Sequence, residues 1–454
     1  MLKKLPGLAA LAATSALAIT AATAAPATAQ SADELKAELA ALKAKMAEIE
    51  KRLQKTEEEQ KKHDLKVEAK GAPQFSGIGF KNFKLRGRIQ TDVGIVGDPD
   101  RIGTGSAMNF SPDNGLGTTT EFRRARLGVE GEIADWAYKA EFDFADNKVS
   151  AKDVLLEYKG IDGIKLTLGH QKTGVSAGEE TSSRFVPFME RAAFNSAFGF
   201  DRELGASVSS HGATWGVKAG IYATGALSGN DEENGYALAG RAFNRFDVGG
   251  GFIQLGGSLE FRDKSGAISR FRARPFLHTT DTRFVDTGTV DVSDSLFYGG
   301  EILAQRGPVS FTGEYGRLRA NRPGGLANAS FQGGYAQLGW ILTGESRGYK
   351  KSEGIWDRTK PAQPLGKGGF GALELNLGID WVDLTDNRAG IAGGNQYAVL
   401  AGFTWIPVSH VRFLVNYGRV KVDTSPTRVK LGSDGTLTRS FSTNAFGIRG
   451  QIDW

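Results

Sequence analysis

From residue 83 to the end, the chain alternates apolar and polar residues with a period of two, and this alternation constrains the fold more than any other feature. In 83–96 one face reads Phe83, Leu85, Ile89, Val93, Ile95 and the other Lys84, Arg86, Arg88, Gln90, Asp92. Successive side chains of a strand point to opposite sides, so each such segment carries one apolar and one charged face. Trp136, Tyr138, Phe142 and Phe144 repeat the pattern against Lys139, Glu141 and Asp143. Ile164, Leu166 and Leu168 do so against Lys165 and Thr167, and Val399, Ala401, Phe403 and Trp405 follow later. A soluble sandwich would alternate too. The regular segment length, the aromatic strand ends and an amino-terminal export signal favour a membrane β-barrel, with lipid outside and water inside. No later stretch reaches the ~18 consecutive apolar residues of a spanning helix, so any crossing is made by strands.

Segments beginning near 83, 121, 134, 152, 163, 203, 213, 236, 251, 295, 308, 330, 370, 395, 410 and 439 number sixteen. An even count puts both barrel ends on the periplasmic side, and the short connections then fall there. The connection 344–369 is long and yet lands on that side, so it needs a role of its own. Residues 178–191, GEETSSRFVPFMER, do not alternate. Arg184 and Arg191 stand there beside Glu179, Glu180 and Glu190, with Phe185, Phe188 and Met189 between them, which suits a loop folded into the bore. Residues 262–294 read as a second long loop, although 270–278 could pass as a strand. The expected fold is all-β: a 16-stranded antiparallel transmembrane β-barrel over 71–454, preceded by a short helical coiled-coil segment.

Residues 1–29 have the parts of a secretory signal peptide: Lys3 and Lys4, an alanine-rich run, and Ala27-Thr28-Ala29 as cleavage site. Residues 30–70 read as a periplasmic coiled-coil helix. Leu35, Leu39, Leu42, Met46, Ile49 and Leu53 recur at steps of four and three. Glu38 with Lys43, Lys45 with Glu50, and Arg52 with Glu57 are opposite in charge from g to the following e of a parallel neighbour. A solvated helix with its charges bridged internally is the alternative.

Composition narrows the function. With no cysteine, disulfides, thiolate metal sites and a cysteine nucleophile are excluded. A net charge of +5 is slight for 454 residues and argues against nucleic-acid binding. The 61 glycines, about twice the usual ~7% share, suit many short strands. Phe284 to Thr289, FVDTGT, reads like an aspartic-protease turn without its second copy, the histidines are scattered, and GKGGFG at 366–371 lacks phosphate-loop spacing. No enzyme, metal or cofactor is expected.

Several stretches together are similar to the phosphate-selective porin family: LRGRIQ at 85–90, EFRRARLGVEG at 121–131, TSSR at 181–184, FMER at 188–191, RARP at 272–275, RFVDTG at 283–288, LTGESRGYK at 342–350, KP at 360–361 and GFGALEL at 369–375. The resemblance implies a trimeric sixteen-stranded porin of the Gram-negative outer membrane. It implies a bore narrowed by the third outer loop, helped by the fifth and by one long periplasmic turn. Carried over by motif, Arg88 and the Arg123-Arg124 pair are wall arginines, and Arg191 is a loop arginine near the narrowest point. Arg272 and Arg274 are rungs of an outer ladder, and Lys350 and Lys360 the lysines of the inserted turn. One position departs: where phosphate-specific members carry a lysine before T-S-S, this chain has Glu179 and Glu180.

From the residues themselves, Arg270, Arg272 and Arg274 lie two apart and share one face in extended backbone, with Asp263 and Asp281 the acids close in sequence. Arg123 and Arg124 should point to opposite faces, so that at most one lines the bore, and Arg126 shares the Arg124 face. Successive cations let an anion trade partners, while Glu179, Glu180 and Glu190 lower affinity enough for release. Together with the resemblance, this predicts a passive channel for phosphate, pyrophosphate or short polyphosphates, in contact with outer-membrane lipid. A general or organic-anion porin is the alternative within transport. From another class, the coiled coil would tether the envelope to peptidoglycan.

Overall fold

The computed structural model describes residues 32–63, 66–69, 73–77, 80–98, 100–104, 115–224, 235–263 and 268–454, so the expected signal peptide lies outside the described residues. Two compact units divide at Asp64 and Leu65. The first contains α1, Ala32–His63, a segment with neither glycine nor proline and rich in alanine, leucine, glutamate and lysine. It ends seven residues before the expected boundary at 70, and a short strand, Lys66–Ala69, follows. Leu39, Leu42, Met46, Ile49 and Leu53 are 56–63% exposed. Arg52 binds Glu48 (2.9 Å) within the helix, so part of the charge pattern is satisfied locally.

The second unit is a closed antiparallel barrel of sixteen long strands. They are β1 Phe80–Val96, β2 Gly117–Ile133, β3 Trp136–Asp143, β4 Ser150–Ile161, β5 Ile164–Lys172, β6 Arg202–His211, β7 Trp215–Thr224 and β8 Gly235–Val248, then β9 Gly251–Asp263, β10 Asp294–Arg306, β11 Val309–Asn321, β12 Ala329–Ile341, β13 Ala372–Asp386, β14 Ile391–Val408, β15 Val411–Asp423 and β16 Phe441–Asp453. Each starts within four residues of the expected position. Strand β16 closes the barrel on β1, from Ala445 opposite Val96 to Asp453 opposite Arg88, and Trp454 exchanges main-chain bonds with Gly87 (3.1 and 3.0 Å). A hairpin the alternation did not reveal, Lys66–Ala69 with Pro73–Gly77, extends the sheet beside the start of β1.

Outward-facing residues form an apolar belt with aromatic rims, including Trp136, Trp215, Trp340 and Phe413 toward the short turns and Tyr236, Tyr315, Tyr397 and Tyr417 toward the long loops. The inner face is not uniformly wet, as alternation alone would have it. Phe188, Met189, Phe194, Phe198 and Phe200 of the third loop pack with Phe271, Phe276, Leu277 and Phe284 of the fifth. Around them lie Phe331, Val382, Leu384, Leu400, Val420 and Val422 from the inner wall of β12–β15. This core fills the bore on that side. The open space is left against β1–β8.

Candidate functional site in the bore

The third loop, 173–201, holds two short helices, α2 Ala177–Glu180 and α3 Ala193–Ala197. Its path is fixed largely by the barrel wall, whose side chains satisfy the loop backbone. Carboxylates accept from its N–H groups: Glu301 from Ala177 (3.1 Å), Glu314 from Gly178 (2.6 Å) and Asp380 from Ala193 (3.0 and 2.9 Å). Asn416 Oδ1 accepts from Met189 (2.7 Å). Cations donate to its carbonyls: Arg347 to Phe185 (2.6 Å), Arg412 to Arg184 and Val186, Arg449 to Met189, and Lys172 to residues 179, 180 and 181. Inner-face glycines leave room for its side chains. A Cβ on Gly378 or Gly402 would come within 2.9 or 3.1 Å of the Phe188 ring, and one on Gly447 within 2.7 Å of Met189 Sδ.

Glu190 is the most strongly held loop charge. Arg123 grips it through two bonds (2.8 and 2.9 Å), Arg449 adds a third (2.9 Å), and Arg124 lies at 3.9 Å. Burial pushes this carboxyl up, but Arg123 and Arg124 outweigh burial and hold it well below the usual carboxylate range. That both arginines reach inward corrects the expectation from strict alternation. Gln90 pairs with Arg124 and Thr91 with Phe122, so Arg123 is the extra residue of a β-bulge and is turned toward the bore.

The other loop charges are also engaged. Glu179 is buried, and Arg191 binds it (3.2 Å) while donating to the carbonyls of residues 178, 179 and 181. Glu180 faces Lys218 at 3.6 Å, and although burial opposes ionisation, Lys218 and Lys172 pull its carboxyl below the ordinary value. Arg184 lies 3.6 Å from the buried Asp453, which Arg358 of the periplasmic turn also binds. Burial and the neighbouring Arg86 lower the Arg184 guanidinium.

Between the third loop, the periplasmic turn 342–371 and the wall of β1–β8 lies a cavity of about 1140 Å³. Among the residues marked in the sequence, Arg88, Arg184, Arg191, Lys350 and Glu180 line it; Arg123, Arg124, Glu179, Lys360 and the three fifth-loop arginines do not. Cations that line it without having been expected on the anion path include Arg86, Lys172, Arg202, Lys218 and Arg241. Arg86 was legible as an inward partner of Arg88, whereas Lys172 and Arg202 stand at strand ends, where alternation assigns no face. Acids are interspersed. Asp153 binds Arg202 (2.6 Å), Glu157 binds Lys165 (2.8 Å), and Glu353 binds Lys350. Several cations meet carboxylates only at long range and are otherwise held by neutral groups. Arg88 lies 3.5 Å from Glu141 and donates to Ser183 Oγ (2.5 Å), and Arg184 lies 3.6 Å from Asp453 and donates to Ser182 Oγ (3.3 Å). Lys218 lies 3.6 Å from Glu180 and donates to the Lys172 carbonyl (2.6 Å), and Lys172 donates to the carbonyls of residues 179, 180 and 181.

The described part of the fifth loop, 268–293, folds as a narrow ladder, Ile268–Ser269 with Val290–Asp291 and Arg272–Ala273 with Val285–Asp286, and not as a further barrel strand. Phe271 and Ala273 are buried, whereas Arg270 and Arg272 are exposed. Arg270 binds Asp286 through two bonds (2.7 and 2.6 Å), and Arg274 binds Asp281 (2.9 Å). Asp286, sixteen residues away, is the acid that sequence proximity did not suggest. It also accepts from the Gly288 N–H (2.9 Å), which makes the D-T-G stretch a structural turn. Burial, with a smaller contribution from the nearby Arg274 and Arg272, pushes the Arg283 guanidinium down to about 10.

A family profile described as Phosphate-selective porin O and P matches residues 83–454. An uncharacterized protein of Caulobacter vibrioides is 36% identical over 398 residues, 85% of this chain and 76% of that one. Porin O of Pseudomonas aeruginosa is 24% identical over 407 residues, 79% and 88% of the two chains. Among solved structures, OmpT of Vibrio cholerae, an outer membrane protein in its trimer form, superposes with a TM-score of 0.53 at 13% identity, covering 82% of this chain and 99% of that one, a likeness of fold. The barrel, its inserted loop and these matches describe an outer-membrane channel. The chain belongs to the phosphate-selective porin O and P family.

Proposed function

We propose that the protein is a passive anion channel whose solutes are phosphate, pyrophosphate or short polyphosphates. The observation that carries this reading is the cavity between the third loop and β1–β8, where Arg88, Arg184, Lys172 and Lys218 are held by hydroxyls and carbonyls and meet carboxylates only at long range. Such cations exchange a weak partner for a passing anion at small cost. Tightly bidentate arginines such as Arg123 do not, and they serve the architecture. Arginine forks suit phosphate oxygens, and the exposed Arg272 with Arg270 and Arg274 would gather anions at the outer mouth. Arg191 and Lys350 complete the path on the loop and turn, with Lys360, Arg124 and Glu179 acting behind it.

The acids Asp153, Glu157, Glu180 and Glu353 within the same cavity favour a second reading, a general or organic-anion porin, because they limit how deep a phosphate well becomes. Single-channel recording in planar bilayers under a salt gradient separates the readings. A reversal potential of anion sign, with chloride current blocked by phosphate, supports the first. Anion selectivity without block supports the second, and cation selectivity overturns both.

The bare seam of α1 supports association in parallel with copies of itself, and the charge pattern with the family resemblance supports three. Removing residues 31–63, which spares the strand Lys66–Ala69, should leave conductance intact and lower the melting temperature of the oligomer. An unchanged temperature would make the helix a solvated spacer, the form in which it could reach peptidoglycan.

A further inference from the structure

We infer that the outer wall carries a docking site for the acidic headgroup of an outer-leaflet lipid, built from Arg317 and Arg319 on β11. On this strand Gly316, Leu318 and Ala320 are buried on the inner side, so Arg317 and Arg319 share the outward face with Tyr315, which is 47% exposed. A guanidinium facing hydrocarbon is costly at the bilayer midplane and close to neutral at the interface. Both arginines stand two and four positions beyond Tyr315 in the direction of the long loops, just past the aromatic rim. That level is where lipid headgroups lie.

The pair is built and oriented. Arg317 Nε donates to Ser330 Oγ (2.7 Å), a bond that restrains the plane of its fork without using either terminal nitrogen. Arg319 lies over the Tyr298 ring at 5.7 Å. Beside them Tyr315 stacks on Trp381 and donates to Gln332 (3.0 Å), a rigid aromatic floor for acyl chains. Among the described residues neither arginine has a carboxylate partner. The outward acids nearby are engaged elsewhere: Asp294 accepts from Asn321 (2.6 Å) and Asp383 from the Thr385 N–H (3.0 Å). Two adjacent forks at headgroup depth, with no carboxylate partner among the described residues, are complementary to a doubly charged headgroup, and the site is independent of which solute the bore passes.

The test is lipid binding by the purified, folded full-length porin, read by thermal unfolding, with bis-phosphorylated lipid A as probe. Lipid A should raise the melting temperature, and the same lipid stripped of its phosphates, or inorganic phosphate alone, should not. Each cation near an acidic lipid surface is worth about fivefold in affinity, so Arg317→Gln with Arg319→Gln should weaken binding about 25-fold at unchanged conductance. If that variant does not fold, Arg317→Lys with Arg319→Lys keeps the charge without the fork and should weaken binding less. Equal lipid shifts in wild type and variant, or a shift from inorganic phosphate alone, overturn the proposal. So does a variant whose oligomer falls apart while its lipid shift persists, because the face then belongs to a contact between protomers.

Discussion

The third and fifth outer loops both enter the bore and both carry arginines, but they hold their charge in opposite ways. In the third, Glu190, Glu179 and Glu180 face Arg123, Arg191 and Lys218 in buried surroundings, and wall side chains take up the backbone. In the fifth, Arg270 and Arg274 meet Asp286 and Asp281 at the solvent margin, and Arg272 forms no ion pair among the described residues. Buried pairs are expensive to break and surface pairs cheap. The third loop therefore sets the shape of the path, and the fifth sets the charge met on approach.

The largest way to break this contrast is Glu190→Gln. It leaves Arg123 and the adjacent Arg124 packed without a carboxylate, while Arg449 keeps Asp92, and breaking a buried pair from one side costs about 3–5 kcal/mol. Denaturant unfolding should register that loss, and single-channel traces should become larger and noisier as the loop leaves its seat. A variant with wild-type stability and conductance would mean that Glu190 does not anchor the loop.

A smaller effect separates the two neighbouring acids. Glu180 lines the cavity opposite Lys218, so Glu180→Gln frees a cation there and should lower the phosphate concentration for half-block about tenfold, or ~1.4 kcal/mol. Glu179 is buried beside Arg191 and does not line the cavity, so Glu179→Gln should leave block unchanged while costing stability. The reverse ranking would exchange their places.

How far the sequence reveals this contrast depends on what repeats. Strand positions follow from alternation because each strand must bury one face in lipid, a constraint renewed every second residue. The bulge at Arg123 escapes the same logic, since one inserted residue leaves no trace in a pattern that is already arginine-rich. The loop seat is less visible still. It rests on Gly378 and Gly402 yielding to Phe188 and on Asp380 meeting Ala193, pairings between residues nearly two hundred positions apart. Arg270 with Asp286 is the same lesson at shorter range.

Next in size is the outer mouth. Replacing Arg272 and Arg274 by glutamine should lower the anion-to-cation permeability ratio about twofold in 0.1 M salt, where the Debye length is ~10 Å. In 1 M salt, where it is ~3 Å, the two proteins should be alike. A difference that persists at high salt would place these arginines against the permeating ion, as close partners and not as a distant field.

The smallest expected effect is that of pH on the seat of the third loop. Glu190 and Glu180 both have carboxyls held below their ordinary value, by Arg123 with Arg124 and by Lys218 with Lys172, against the opposing effect of burial. A carboxyl depressed in the folded state binds fewer protons there than in the unfolded chain. It therefore contributes stability that is fully present above the unfolded value of about 4.3 and is lost as pH falls through the lower folded value. Between pH 8 and pH 5 both groups stay ionised and contribute no change of their own to conductance or melting temperature. Below about pH 4, Glu180 should protonate before Glu190, whose depression is the greater, so phosphate block should change before the loop loosens. Conductance and phosphate block recorded together from pH 8 to pH 3 test this order. A conductance step between pH 5 and 7 would show that another group governs the seat and that the buried pairs of the third loop are not what distinguishes it from the fifth.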